Sequence, residues 1–127
     1  MRVLVIDDDH LVRRSFVRSL GRRFDVMAVA SIEDALTVLA DPKARFDAIL
    51  CDLELPTKKT VVELVAEAPN GQGKRVILVS GALVGLASPA MEAVRGRFVP
   101  KVAGVKALFA AIDELVAEEG ELHAKRE

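Results

Sequence analysis

Tryptophan and tyrosine are absent and phenylalanine occurs only five times, so aromatic packing contributes little to this core. A single cysteine, Cys51, excludes an internal disulfide and favours a reducing compartment. No apolar run approaches the roughly eighteen residues that a membrane span requires. The opening "MRVLVIDDD" sets one arginine and a short apolar run before three aspartates, which is not a signal-peptide pattern. Charge of one sign is lacking too: 18 basic and 19 acidic residues leave a net charge of −1. Bulk electrostatics therefore predicts neither nucleic-acid nor membrane binding. The expectation is a soluble, cytoplasmic chain.

What is present is a chain of 127 residues, 51% hydrophobic and 29% charged. That is one domain's worth, enough to bury about two-thirds of its unfolded surface in a single core. Short apolar runs alternate with longer amphipathic ones. Val3 to Ile6, Val26 to Ala30, Ala48 to Cys51, Val76 to Val79 and Phe98-Val99 have strand length. Several are nearly continuous in apolar residues, as strands covered on both faces should be.

Between them, Val12, Phe16 and Leu20 fall at four-residue spacing, with Gly21 as the helix stop. Ser31 and Asp34 resemble a capping box, ahead of the inward stripe Ala35, Val38 and Leu39. A third helix covers Val61 to Ala68, and "PNGQGK" reads as a loop. "GALVGLASPAMEAVRGR" is broken by Gly81, Gly85 and Pro89, so the fourth helix is short or displaced. Val105, Leu108, Phe109, Ile112 and Val116 share one face of a fifth helix, whose polar tail should fray. This alternation predicts an α/β fold: a doubly wound, five-stranded parallel sheet flanked by about five helices.

In such a sheet, ligands bind beyond the carboxyl ends of the strands. Asp7 and Asp8 follow the first strand, Asp52 the third, Ser80 the fourth, and Lys101 comes just after the fifth. Three crowded carboxylates repel one another unless a cation joins them. A hard divalent ion such as Mg²⁺ suits them. Carboxylate, metal, hydroxyl and ammonium together can support phosphoryl transfer onto an aspartate.

The motifs "VLVIDDDHLVRRSF" and "DAILCDLELP", with Ser80 and Lys101, resemble those of a response-regulator receiver domain. The likeness runs from Val3 to about Val116, with the domain at 1–119 and a polar tail at 120–127. It implies a flavodoxin-like fold and a phosphoacceptor role in two-component signalling, without conventional enzyme activity. By this resemblance Asp52 is the phosphorylated residue, and Asp7 and Asp8 join it in holding Mg²⁺. Glu54 offers the metal its backbone carbonyl, Ser80 and Lys101 contact the phosphoryl oxygens, and Phe98 is a switch aromatic. The implied partners are a sensor histidine kinase or phosphotransfer protein and a downstream protein target. That target would meet the face of the fourth helix, fifth strand and fifth helix, which could also support a homodimer.

The sequence departs from this pattern in places. Lys59 and Thr60 stand where receivers carry an acid and a glycine, and Val102 replaces the proline after the lysine. The stretch before Phe98 is about one residue short. A trans bond is expected before Val102, because a cis bond there costs a few kcal/mol.

Plainer readings exist for each residue. Asp9 suits a helix cap, Ser80 a turn, Lys101 a solvated charge, and Phe98 or Cys51 a core position. The basic outer face of the first helix (Arg13, Arg14, Arg18, Arg22 and Arg23) suits either solvation or kinase docking. His10 and His123 have no metal-ligand spacing. Two other functions compete with signalling. A haloacid-dehalogenase-type phosphatase would use Asp7-Asp8-Asp9 as its D-x-D, but leaves Asp52 without a role, and after Lys101 offers only the helical pair Asp113-Glu114 where a strand-end acidic pair is needed. A pseudo-receiver would act by protein contacts alone.

Overall fold

The computed structural model describes residues 1–53, 55, 59–81 and 88–126, with the backbone alone for 121–126. Its strands are β1 (Arg2–Ile6), β2 (Asp25–Val29), β3 (Ala48–Asp52), β4 (Val76–Ser80) and β5 (Phe98–Pro100). All pair in parallel, in the order β2-β1-β3-β4-β5. The helices are α1 (His10–Leu20), α2 (Ile32–Leu39), α3 (Val61–Glu67), α4 (Pro89–Ala93) and α5 (Gly104–Arg126). Two 3₁₀ segments, Pro69–Arg75 and Lys101–Ala103, complete the described elements.

The apolar strands are buried because both faces are covered, and alternation along each strand divides the core in two. Leu4, Ile6, Ile49, Cys51 and Leu78 pack with α2, α3 and α4 through Ala35, Leu39, Leu64 and Met91. Val3, Val5, Leu50, Ile77 and Val99 face the other way, against Leu20 of α1 and Leu108, Ile112 and Leu115 of α5. Each such aliphatic side chain contributes roughly 1.5–3 kcal/mol by leaving water.

Helix starts follow local chemistry. The Asp9 carboxylate caps α1 by accepting from the N–H groups of Leu11 (2.8 Å) and Val12 (3.2 Å). Ser31 caps α2 by accepting from the N–H of Asp34 (3.1 Å). Thr60 and Glu63 form a reciprocal capping box on α3. Thr60 lies at φ −101°, ordinary extended backbone, so no glycine is needed there.

Several details differ from the sequence expectation. Asp52 and Ser80 are the last residues of their strands rather than the residues that follow. Gly21 ends α1 at φ −62°, not in a left-handed cap. A Cβ there would collide with the Val17 carbonyl oxygen, so close approach selects glycine. "PNGQGK" is not an open loop but two 3₁₀ turns joined at Asn70 and Gly71, both at positive φ. Gln72 anchors it from within: buried, it accepts from the Phe46 N–H (3.1 Å). The fifth helix continues to Arg126 where fraying was expected. As expected, α4 is short, five residues, and the Lys101–Val102 peptide is trans.

Candidate functional site

The sheet order brings distant residues together. From β1 the chain moves outward to β2, then crosses back to β3, so β1 and β3 are neighbours with a crevice beyond their carboxyl ends. Ile6 pairs with Cys51, which sets Asp7 and Asp52 side by side although 45 residues separate them. Asp52 pairs with Val79, and Ser80 pairs with Pro100, so Ser80 and Lys101 reach the same edge.

Asp7, Asp8 and Asp52 each offer a carboxylate oxygen, and these three oxygens lie within 4.8 Å of one another. Asp7 and Asp52 are buried, at 1% and 7% exposure, while Asp8 is open to solvent. Lys101 Nζ donates to Asp7 Oδ2 (3.1 Å) and to Asp52 Oδ2 (3.3 Å), with its side chain 29% exposed. Burial lowers the Lys101 pKa, but the hydrogen bond to Asp7 and the charges of Asp52 and Asp7 outweigh it. The net shift is upward, and the ammonium stays charged.

Asp7 is held on all sides. Its N–H donates to Val29 O (3.1 Å), and its Oδ1 accepts from the Asp9 N–H (3.0 Å). Its carbonyl accepts from Arg13 Nη1 (2.8 Å). Ser80 is fully buried at the end of β4. Phe98 begins β5, pairs with Leu78 and packs half-buried against the core on the α3–α4 side. Glu54, which the resemblance named for a backbone carbonyl, lies outside the described residues.

Asp52 also borders a cavity of about 420 Å³ with Ile32, Leu53, Leu55, Val61 and Pro89. Cys51 beside it is buried, and its Sγ donates to Asp52 O (3.4 Å). Burial, and then the carboxylates of Asp52 and Asp7, push the Cys51 thiol far up, which makes it inert. The departures at Lys59 and Thr60 are accommodated by pairing. The Lys59 N–H donates to Glu33 (2.9 Å), and Nζ donates to both Glu67 oxygens (2.8 and 2.9 Å).

The donor set fits a hard cation, since clustered carboxylate oxygens are the ligands Mg²⁺ prefers. Lys101 pairs with two of the three carboxylates, Asp7 and Asp52. Sequence reasoning located these residues at one edge but missed the Arg13 contact. In the sequence Arg13 is one of several arginines on a basic helix, and no spacing rule distinguishes it.

The sequence matches the profile of the response regulator receiver domain over residues 3–113, and the chain belongs to that family. Solved structures show the same architecture. The response regulator receiver domain protein from Clostridium thermocellum aligns with a TM-score of 0.78 at 20% identity, covering 95% of this chain and 98% of that one. The CheY-like receiver domain protein from Methanospirillum hungatei JF-1 gives 0.77 at 21%, covering 94% and 96%. A structure of an adenylate cyclase from Rhodopirellula baltica gives 0.78 at 23%, covering 98% and 93%. At these identities the likeness is one of fold. Among curated proteins, none matches this chain. No helix among the described residues is long and apolar enough to cross a membrane.

Proposed function

We propose that the protein is a phosphoacceptor module of a two-component or phosphorelay system, with Asp52 as the acceptor. The observation that carries this reading is the grouping of Asp7, Asp8 and Asp52 within 4.8 Å beneath the Lys101 ammonium. An Asp52 oxygen attacks the phosphorus of a phosphohistidine, the P–N bond breaks with its electron pair passing to the ring nitrogen, and the imidazole leaves neutral because its other nitrogen carries the proton. The product is an aspartyl phosphate. Asp7, Asp8 and Asp52, with the Glu54 carbonyl, would hold Mg²⁺, which when bound supplies charge neutralisation for the transferring phosphoryl group.

Lys101 already touches Asp52 and would follow the phosphoryl oxygens as they replace carboxylate charge. Ser80, buried at the neighbouring strand end, would donate from its hydroxyl. The new contacts bias a two-state arrangement that is read by a downstream protein at α4, β5 and α5, a surface that could also pair two copies. Full switching requires about 5 kcal/mol of preference for one state. The domain, assigned to 1–119, assists its own phosphorylation and hydrolysis and is not a conventional enzyme. Its partners are a sensor histidine kinase or phosphotransfer protein, in the cytoplasm.

The test is intact-mass spectrometry after incubation with acetyl phosphate or phosphoramidate and Mg²⁺. A single phosphoryl adduct, lost with EDTA and in Asp52→Asn, is the expected result. Absence of both adduct and Mg²⁺ binding would sink the proposal and leave a pseudo-receiver that acts by contacts alone.

A further inference from the structure

Asp8, the exposed member of the carboxylate cluster, has to be aimed by its backbone, and the structure contains a device for this. The Asp7 carbonyl and the Asp8 N–H belong to one planar peptide, so fixing the carbonyl fixes the direction in which the chain enters Asp8. That carbonyl accepts from Arg13 Nη1 at 2.8 Å. The reach has a clear cause. Asp9 sets the start of α1 by capping Leu11 and Val12, and the Arg13 N–H closes the first turn on Asp9 O (2.9 Å). Long side chains in a helix lean back toward its amino terminus, which brings the Arg13 guanidinium over the Asp7–Asp8 turn.

We infer that Arg13 is a positioning residue for the Asp7–Asp8 metal-holding turn, an inference that rests on the proposed Mg²⁺ role of this cluster. Lys101 and Arg13 divide the work between them. Lys101 sits on the carboxylate oxygens themselves, where a metal's ligands lie. Arg13 acts through a backbone carbonyl and not through a carboxylate oxygen of the cluster. It is half-buried, whereas Arg14 on the same helix is exposed. Outer contacts that orient ligands in this way typically change metal affinity by about 10–100-fold when removed.

The test is calorimetric titration of the full chain with MgCl₂, beside the Mg²⁺ dependence of phosphorylation by phosphoramidate. Arg13→Met keeps the aliphatic stem and removes the donors. It should weaken Mg²⁺ binding by about tenfold or more. The Mg²⁺ concentration for half-maximal phosphorylation should rise in step, while the maximal rate at saturating Mg²⁺ changes little; general damage would lower both. Arg13→Lys, which retains a donor, should recover part of the affinity. Arg14→Met removes the same charge from the same helix and should leave it unchanged.

Unchanged or tighter binding in Arg13→Met overturns the inference, since loss of a nearby positive charge alone would favour the cation. Equal weakening in Arg14→Met overturns it as well. Should Arg13→Met not fold, Arg13→Gln, too short to span the distance, carries the same expectation. Wild-type protein that binds no Mg²⁺ defeats the metal reading and this inference together. Wild-type binding with an unaffected Arg13→Met defeats the inference alone.

Discussion

At the amino end of the sheet, the buried Arg75 guanidinium donates to the Phe46 carbonyl (2.7 Å) and to Glu119 of α5 (2.8 Å). At the carboxyl end, one ammonium serves two buried carboxylates beside a third. The first arrangement is balanced: one cation, one anion and the carbonyl of buried Phe46, just before β3, satisfied by the same guanidinium. The second crowds like charges: two buried carboxylates and an exposed third share one edge with the Lys101 ammonium, and the Arg13 guanidinium sits on the Asp7 carbonyl. Grouping carboxylates in this way does not favour folding by itself, because like charges brought together oppose compaction. One end of the sheet pairs opposite charges one to one, and the other gathers like charges at a single edge.

The sharpest way to break this comparison is Asp52→Asn. It should abolish the phosphoryl adduct entirely, as read by intact mass, while circular dichroism shows the fold retained. An adduct that persists would move the chemistry elsewhere.

At the opposite end, Arg75→Met should leave the Phe46 carbonyl and Glu119 without their partner and cost about 1–3 kcal/mol in urea unfolding. Mg²⁺ binding should not change, since no carboxylate of the cluster is touched.

Alkaline pH tests the crevice from Cys51. Its thiol is held neutral in the fold, whereas the unfolded chain ionises from an ordinary value of 9.0. The unfolded state thus loses its proton first, and stability declines above pH 9 but not below it. At pH 10 the loss should be roughly 1.4 kcal/mol, and Cys51→Ala should remove that part of the slope. A wild-type curve parallel to the variant's would refute this.

The smallest effect is the most telling. Asp8→Asn removes one of the repelling charges and should raise metal-free stability by up to ~1 kcal/mol, while abolishing stabilisation by Mg²⁺. Thermal unfolding with and without MgCl₂ would show both. If Asp8→Asn instead destabilises as much as Arg75→Met, the two ends of the sheet do not differ as described.

Much of this was legible along the chain, for local reasons. Val3 to Ile6 and Val76 to Val79 could be read as strands because a strand covered on both faces has to be apolar throughout. Asp9 and Ser31 announced helix starts because capping acts over two or three residues, whereas the Thr60 cap emerged only from the structure. The fourth helix was read as short because Pro89 and the glycines interrupt its period. "PNGQGK" was misread because its turn chemistry is that of a loop. Only the burial of Gln72 against Phe46, 26 residues away, organises it into 3₁₀ turns.

The strands, the starts of α1 and α2 and the placing of Asp7, Asp8, Asp52, Ser80 and Lys101 at strand ends follow from local pattern, because periodicity and capping are properties of neighbouring residues. Packing of the whole chain sets β1 beside β3, so that Asp7 and Asp52 share one ammonium and three carboxylate oxygens meet within 4.8 Å. It alone singled out Arg13 from the other arginines of α1. Those contacts depend on strand order and helix phase, which are set when the whole core packs and are not encoded at any one position.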